Sequence, residues 1–330
     1  MPKISVNEIR NISKTALVQH GALDWVSEEV SDAVAASESV GNRICGLYYL
    51  ESYCEQLLSG RVNGQASPDV QLVRPGAIFV NADDGFAQPA FTKGLPEALK
   101  LAKKNGIASL SVGRAHTCTS LGYFTKRIAD AGFLGLGLTN ASPIVAPPGG
   151  KSRIIGTNPI AFSVPDGNGG IAMQFDQSTT TVALGKITMA KAAGKSIPEG
   201  WALNKDGKPT SNPDEAIQGT LVSAGGYKGW GFGLMAEILV AGMTGGRISK
   251  NVAPLKAKDG EPHNLGQFYI IIDPASGASF YKRLEELTTI VSSEEGTRMP
   301  GQYTMPQTEV DVPDDLWNLA IDLSKATFSA

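Results

Sequence analysis

Four short segments of this chain hold residue types that can do chemistry. In Arg114-Ala115-His116-Thr117-Cys118 a histidine follows an apolar run that reads as a strand. A histidine at a strand end is a candidate acid or base near neutral pH, although a lone histidine is more often structural. In FDQSTTTVALGK, Asp176 closes another apolar run ahead of a Ser/Thr-rich turn. It is either the N-cap of a helix or a carboxylate that orients substrate. In APPGGKSRIIGTNPIAF, Gly149, Gly150 and Gly156 stand beside Lys151 and Arg153. In GGYKGWGFGLMAEIL, Gly225, Gly226, Gly229, Gly231 and Gly233 surround Lys228 at the start of an apolar helix. Backbone N–H groups in such turns and at helix N-termini attract anions. Tight turns alone would explain the same glycines. Neither segment is a Walker loop, and no GxGxxG joins a strand to a helix, so spacing by itself establishes no nucleotide site.

The elements that must carry these residues follow from hydrophobic periodicity. The first ~60 residues read as helices. Ser5 and Glu8 form a capping box, Asp24 is a candidate cap for a second helix, and Leu47, Leu50, Cys54, Leu57 and Leu58 mark one face of a third that ends at Gly60. Beyond a Gly/Asn/Pro-rich loop the pattern alternates. PEALKLAKKNG is a helix with a glycine stop, SLSVG a strand, LGYFTKRIADAG a helix and FLGLGLTN a buried strand. IAFSVP, IAMQFD and FYIIID are further strands, and WGFGLMAEILVAGM is an apolar helix. The predicted class is mixed α/β.

Bulk properties narrow the function classes. The chain has 330 residues, room for two domains, with 42% apolar and 18% charged residues. Its net charge of −3, with no long basic run, excludes a polyanion partner, so no nucleic acid is expected. No run of ~18 apolar residues predicts a membrane span, and the N-terminus has no signal-peptide pattern. Three cysteines, Cys45, Cys54 and Cys118, do not make a disulfide framework, and His20, His116 and His263 are too scattered to suggest zinc. A cytoplasmic enzyme with no metal is expected.

The four segments, with GFLGLGLTNASP between them, occur in the order and spacing of the type-2 malate/L-lactate dehydrogenase family, which the chain resembles over nearly its whole length. GTNPIAF at 156–162 and GGYKGWG at 225–231 are the most specific pieces. Within the family, NGQASP at 63–68, DGFAQPA at 84–90 and RMPG at 298–301 resemble the delta-1-piperideine-2-carboxylate/delta-1-pyrroline-2-carboxylate reductase branch. The resemblance implies an α/β fold with a non-Rossmann NAD(P)-binding domain at 116–299. A helical, substrate and dimerisation domain would be built from both chain ends, 1–115 and 300–330. It implies a homodimer, and NADH or NADPH as hydride donor to a 2-oxo or cyclic 2-imino acid. It places Asn140, Ala141, Asp176, Gln177, Ser178, Lys186, Lys228, Pro300, Gly301 and Gln302 at the cofactor. Tyr49, Thr157 and Asn158 are the expected substrate contacts, and His116, Asp176 and Cys45 the catalytic candidates.

One stretch departs from the family. Its usual Ser-His-Gly, with Arg three residues after the Gly, supplies the proton donor. Here the equivalent residues are Ile44, Cys45, Gly46 and Tyr49. A ketone needs a positioned acid, typically worth ~10²–10⁴-fold. A cyclic imine arrives with its nitrogen already protonated. The rewritten stretch therefore predicts reduction of a cyclic imine such as delta-1-pyrroline-2-carboxylate. The alternatives are a 2-hydroxy acid dehydrogenase that uses His116 instead, and a non-catalytic nucleotide-binding relative.

Overall fold

The structure, a computed structural model, describes residues 1–302 and 304–326; Tyr303 and the last four residues of the expected C-terminal helical segment lie outside the described residues. Strand β1 (Lys3–Ser5) passes into helix α1 (Val6–Gln19) at Ser5, whose hydroxyl accepts the Glu8 N–H at 3.1 Å. Helix α2 (Asp24–Ser39) begins at Asp24, which is its first helical residue and not its cap. The Asp24 carboxylate is held by Lys14 at 3.0 Å, so it does not turn back to the helix N–H groups.

The third helix is shorter than its leucine spacing suggests. Two 3₁₀ turns, Arg43–Cys45 and Leu47–Tyr49, precede α3 (Leu50–Leu58). Glu38 is the cause. Its carboxylate accepts the Leu47 N–H at 2.8 Å and fills the space over Gly46, where a Cβ would lie 2.2 Å from Glu38 Oε1. Any larger residue would have to displace the buried Glu38 side chain and its hydrogen bond to Leu47.

Strands β2 (Asp69–Arg74) and β3 (Ala77–Asn81) lead through α4 (Ala87–Asn105) to β4 (Ile107–Ala115). Gly106 ends α4 at φ +81°, the left-handed stop that its sequence predicts. Helix α5 (Leu121–Asp130), β5 (Leu134–Thr139), β6 (Ile160–Pro165) and β7 (Ile171–Gln177) follow. A small unit comes next: α6 (Leu184–Ala192), β8 (Ala202–Leu203), β9 (Pro209–Thr210), α7 (Pro213–Gln218) and β10 (Thr220–Leu221). Then come α8 (Tyr227–Thr244), β11 (Leu265–Ile272), α9 (Phe280–Ser292), β12 (Glu309–Asp311) and α10 (Asp314–Lys325).

Seven strands form one sheet in the order β2-β3-β4-β11-β5-β6-β7. The β3–β4 pair is parallel and the other pairs are antiparallel. This is a mixed α/β sheet, not the parallel doubly wound sheet of a Rossmann domain. Strands from before and after residue 115 share it. One face packs on α4 and α5 through Leu110, Tyr269, Ile271, Phe91 and Phe124. On the other, α8 covers Leu138 and Phe268 with Ala236 and Val240. The chain ends meet in a separate helical cluster. There β12 pairs with β1, and Trp317 of α10 joins Ile9, Leu17, Leu50 and Tyr53. A fourth cluster, with Val145, Ile155, Ile187 and Leu221, holds the small unit together.

Candidate active site

The 3₁₀ turns ahead of α3, the β4–α5 loop and the end of β7 bring Cys45, Tyr49, Cys118 and Asp176 close together. Asp176 leaves β7 with its Oδ2 accepting the Gly122 N–H at 2.8 Å. Leu121 N–H and the Ser120 hydroxyl also lower its acidity range. It thus caps a helix, but α5, 54 residues earlier in the chain, and not the one that follows it. Burial outweighs these donors, and the net effect raises the Asp176 pKa. The residue keeps part of its surface open to solvent while protein crowds its carboxylate.

The thiols beside Asp176 respond to it. Burial first, then the Asp176 charge, pushes Cys45 up to about 12. Cys118 is raised by the same two causes in the same order. Tyr49, half-buried, is raised by burial and then by Cys45, Tyr48 and Cys118. Its ring stacks toward Tyr53 with centroids 5.8 Å apart, and the Tyr53 hydroxyl reaches Thr119 Oγ1 at 3.5 Å. Cys45, Tyr49, Cys118 and Asp176 are therefore neighbours, and at neutral pH neither thiol nor phenol is an effective acid.

His116 stands behind this cleft. It is buried, edge-on to Tyr53 and Phe86, and stacked on His263 with centroids 4.0 Å apart. Both amide hydrogens of Gln56 go to the Leu255 and Ala257 carbonyls, at 2.8 and 2.6 Å. Gln56 Oε1 must then accept, so His116 Nε2 carries the proton across 2.6 Å and Nδ1 does not. His263 Nδ1 accepts the Thr117 N–H at 3.2 Å. Burial, then the neighbouring His263, lowers the His116 pKa well below its ordinary value. Burial, then Arg61, lowers His263 to about 3. The expected histidine acid is thus neutral and packed on Tyr53, Phe86 and His263, held there as part of a buried network.

Gly225 and Gly226, at φ +60° and +64°, open the N-terminus of α8, and a Cβ on Gly226 would meet nothing within 4 Å. An anion has room before that helix end. Lys228 in its first turn and Lys186 in the first turn of α6 are exposed. Asn140 is buried, its amide donates to the Arg247 carbonyl at 2.8 Å, and its Oδ1 has no partner. Ala141 sits so close to Gly156 that a Cβ there would lie 2.7 Å from the Ala141 carbonyl. Gln177 is exposed at the end of β7, and Ser178 Oγ pairs with Thr180 Oγ1 at 2.9 Å. The Pro300 carbonyl accepts the Gln174 N–H at 2.9 Å, which ties Gly301 and Gln302 to β7 just before Asp176. An open helix end, an orphaned buried amide oxygen and exposed lysines fit a dinucleotide.

Of the expected substrate contacts, Asn158 is held within the fold. Asn158, at φ +36° and fully buried, donates to the Gly233 carbonyl at 3.0 Å and to Glu237 Oε2 at 2.7 Å. Its side chain is committed to α8 and is not free for substrate. The Thr157 carbonyl accepts both the N–H and the hydroxyl of Thr179 at 2.9 Å. Sequence reasoning passed over Gln56, Tyr53, Glu237 and Lys256. A lone acid in the apolar helix WGFGLMAEIL was a signal for Glu237. Lys256 lies 3.6 Å from the Tyr48 ring centroid and 5.4 Å from that of Tyr49, and donates to the Tyr48 carbonyl at 3.0 Å. Nothing in its local sequence marks it.

Comparison with known proteins places this geometry. The model of the malate/L-lactate dehydrogenase family matches residues 4–311. A (2R)-3-sulfolactate dehydrogenase (NADP(+)) from Chromohalobacter salexigens is 36% identical over 299 residues, 90% of this chain and 89% of that one. A delta(1)-pyrroline-2-carboxylate/delta(1)-piperideine-2-carboxylate reductase from Pseudomonas aeruginosa is 33% identical over 307 residues, 92% of this chain and 91% of that one. The solved delta1-piperideine-2-carboxylate reductase of Pseudomonas syringae superposes with a TM-score of 0.91 at 28% identity, covering 98% of this chain and 100% of the other.

Proposed function

Because the chain belongs to the malate/L-lactate dehydrogenase family, we propose that this oxidoreductase reduces a small cyclic 2-imino acid, delta-1-pyrroline-2-carboxylate or its piperideine homologue, with NADPH or NADH. Residues 116–299 are read as the part that holds the dinucleotide, and the working unit as a homodimer. When bound, the reduced nicotinamide supplies the hydride. The single observation that carries the choice of substrate is the chemistry of the cleft. Cys45, Cys118 and Tyr49 are all pushed away from acidity, and His116 is neutral and set back. A ketone would find no good donor there. A protonated imine needs none, and the Asp176 carboxylate gives its positive nitrogen a partner.

Lys256 is read as the cation for the substrate carboxylate, since it lies against Tyr48 and Tyr49 at the edge of the cleft. Lys256→Met is expected to raise KM about tenfold with kcat little changed, the signature of lost uniform binding. The deciding experiment is a rate comparison with both cofactors on the cyclic imines and on pyruvate, oxaloacetate and 3-sulfopyruvate. Faster turnover of pyruvate than of either imine would sink the proposal. A second reading, a 2-hydroxy acid dehydrogenase, is favoured by the 36% identity to a sulfolactate dehydrogenase. A preference for 3-sulfopyruvate would select it.

A further inference from the structure

Between the 3₁₀ turn Ser249–Asn251 and β11, residues 252–264 form neither helix nor strand. Among the described residues, the main chain of 253–263 bonds to other main chain once, from the Ala257 N–H to the Pro254 carbonyl at 3.1 Å. Side chains at the end of α3 supply the rest. Gln56 donates to the Leu255 and Ala257 carbonyls. Arg61 donates to the Pro254 carbonyl at 3.1 Å from Nη1 and from Nη2, to Ala257 from Nη1, and to Glu261 at 3.2 Å from Nε. The Ser59 hydroxyl donates to the Lys258 carbonyl at 2.7 Å, and the Lys258 ammonium reaches Glu55 at 2.5 Å. Arg61 is the unusual member. It is 2% exposed, and its guanidinium bonds go to main-chain oxygen. Burial lowers its pKa, with the Asp259 charge opposing. A buried cation is costly, and an apolar side chain would serve a core that needed only filling. What the arrangement fixes is the loop that carries Lys256.

We infer that Arg61 and Gln56 are positioning residues for Lys256, holding its loop by the carbonyls on either side so that the ammonium rests against Tyr48 and Tyr49. The inference rests on the reading of Lys256 as the cation for the substrate carboxylate. One Lys256 N–H goes to the Tyr48 carbonyl at 3.0 Å, which leaves two for a carboxylate. A lysine stem is flexible. Burial disfavours the Lys256 charge, and the Glu51 and Glu55 carboxylates of α3 favour it. On a free loop, pairing with those carboxylates would compete with the substrate. Bonds to Pro254 and Leu255 before Lys256, and to Ala257 after it, remove that freedom, while Lys258 occupies Glu55. The planar fork of Arg61 spans three carbonyls at once, which a compact ammonium cannot do.

Steady-state kinetics test the role on delta-1-pyrroline-2-carboxylate and, in parallel, on 3-sulfopyruvate; both carry the carboxylate. Beside the tenfold rise expected for Lys256→Met, Arg61→Met is expected to raise KM about fivefold with kcat little changed. Arg61→Lys keeps the charge and loses the fork, and its KM is expected within a factor of about two of that of Arg61→Met. The double variant of Arg61→Met with Lys256→Met is expected to have the KM of Lys256→Met alone, because positioning has no effect on a group that is gone. A wild-type KM in Lys256→Met on both substrates overturns the reading of Lys256, and this inference with it. If Lys256→Met does raise KM, a wild-type KM in Arg61→Lys, or effects that multiply in the double variant, overturn the positioning role alone. Gln56→Met takes the place of Arg61→Met if that variant does not fold. Ser59→Ala, at an exposed position, is a third measure, expected to raise KM about twofold through the Lys258 carbonyl. An unchanged KM in every one of these variants that folds overturns the inference.

Discussion

Asp176 stands where burial and hydrogen bonding pull against each other. Burial raises its pKa and three donors at the start of α5 lower it, with burial ahead. A carboxyl whose folded pKa is raised contributes its full stability below the ordinary carboxylate range and loses it as pH rises through the folded value. At neutral pH the charge is thus a cost to the fold. Asp176→Asn keeps an acceptor for the Gly122 N–H and removes the charge. Its melting temperature is expected to exceed that of the wild type at pH 7.5, the gap closing toward pH 4. Its turnover of the imine should fall about 10²-fold; turnover at the wild-type rate would remove Asp176 from the reaction. The converse change tests the missing acid. Ile44 is crowded against Gly185, where a Cβ would lie 2.2 Å from its Cδ1, so a smaller residue fits at 44. The triple variant Ile44→Ser, Cys45→His, Tyr49→Arg is expected to speed 2-oxo acid reduction by about 10²-fold, the worth of a positioned acid. Steady-state rates on pyruvate and on the imine, taken side by side, read this out; an unchanged ratio of the two rates would mean that the lost histidine does not set substrate choice.

At the scale of elements, Gln56 of α3, His116 after β4 and His263 before β11 lock three segments into one buried network. Both imidazoles have lowered pKa values, His263 to about 3. Groups of this kind stabilise the fold above the ordinary histidine range, and that stability is lost as pH falls. Each costs up to ~1.4 kcal/mol per pH unit once the unfolded chain takes up its proton. The urea midpoint should drop steeply from pH 7 to pH 5, and His116→Gln should remove about half of the drop. A midpoint flat with pH would mean that the network opens to water. This network also marks how far the sequence could be read. Local signals were sufficient for Ser5 as a cap, for the left-handed stop at Gly106 and for the apolar helix that became α8, because each depends on neighbours within a turn or two. The cap formed by Asp176 on α5, the Glu38 carboxylate over Gly46 and the Gln56–His116 contact join residues 54, 8 and 60 positions apart. Nothing local encodes such pairings. The partner of Asn158 was hidden for the same reason: GTNPIAF is a specific motif, but its asparagine donates to Glu237, 79 residues on. The sheet order, with β11 between β4 and β5, was likewise hidden, because a strand patterned for burial does not name its neighbours.

For the molecule as a whole, the exposed apolar face of α8 and α9 bears on energy as well as assembly. Two clusters hold the sheet and the helical ends, but Phe232, Ile238 and Met243 of α8 and Leu287 and Ile290 of α9 leave apolar surface in water. If a second copy covers it, folding and association share one free energy, and mass action then couples stability to concentration. Each tenfold rise in protein concentration adds ~1.4 kcal/mol to the folded dimer. Unfolding the dimer melts two chains of this length, so that corresponds to a rise of about 1 °C in melting temperature. Calorimetry from 1 to 100 times a fixed starting concentration should therefore show a steady climb of about 2 °C for the wild type, whereas Ile238→Arg should melt at one temperature throughout, below the wild type. A wild-type melting temperature independent of concentration would mean that the face does not contribute to stability. The dimer would then have to be sought on another surface.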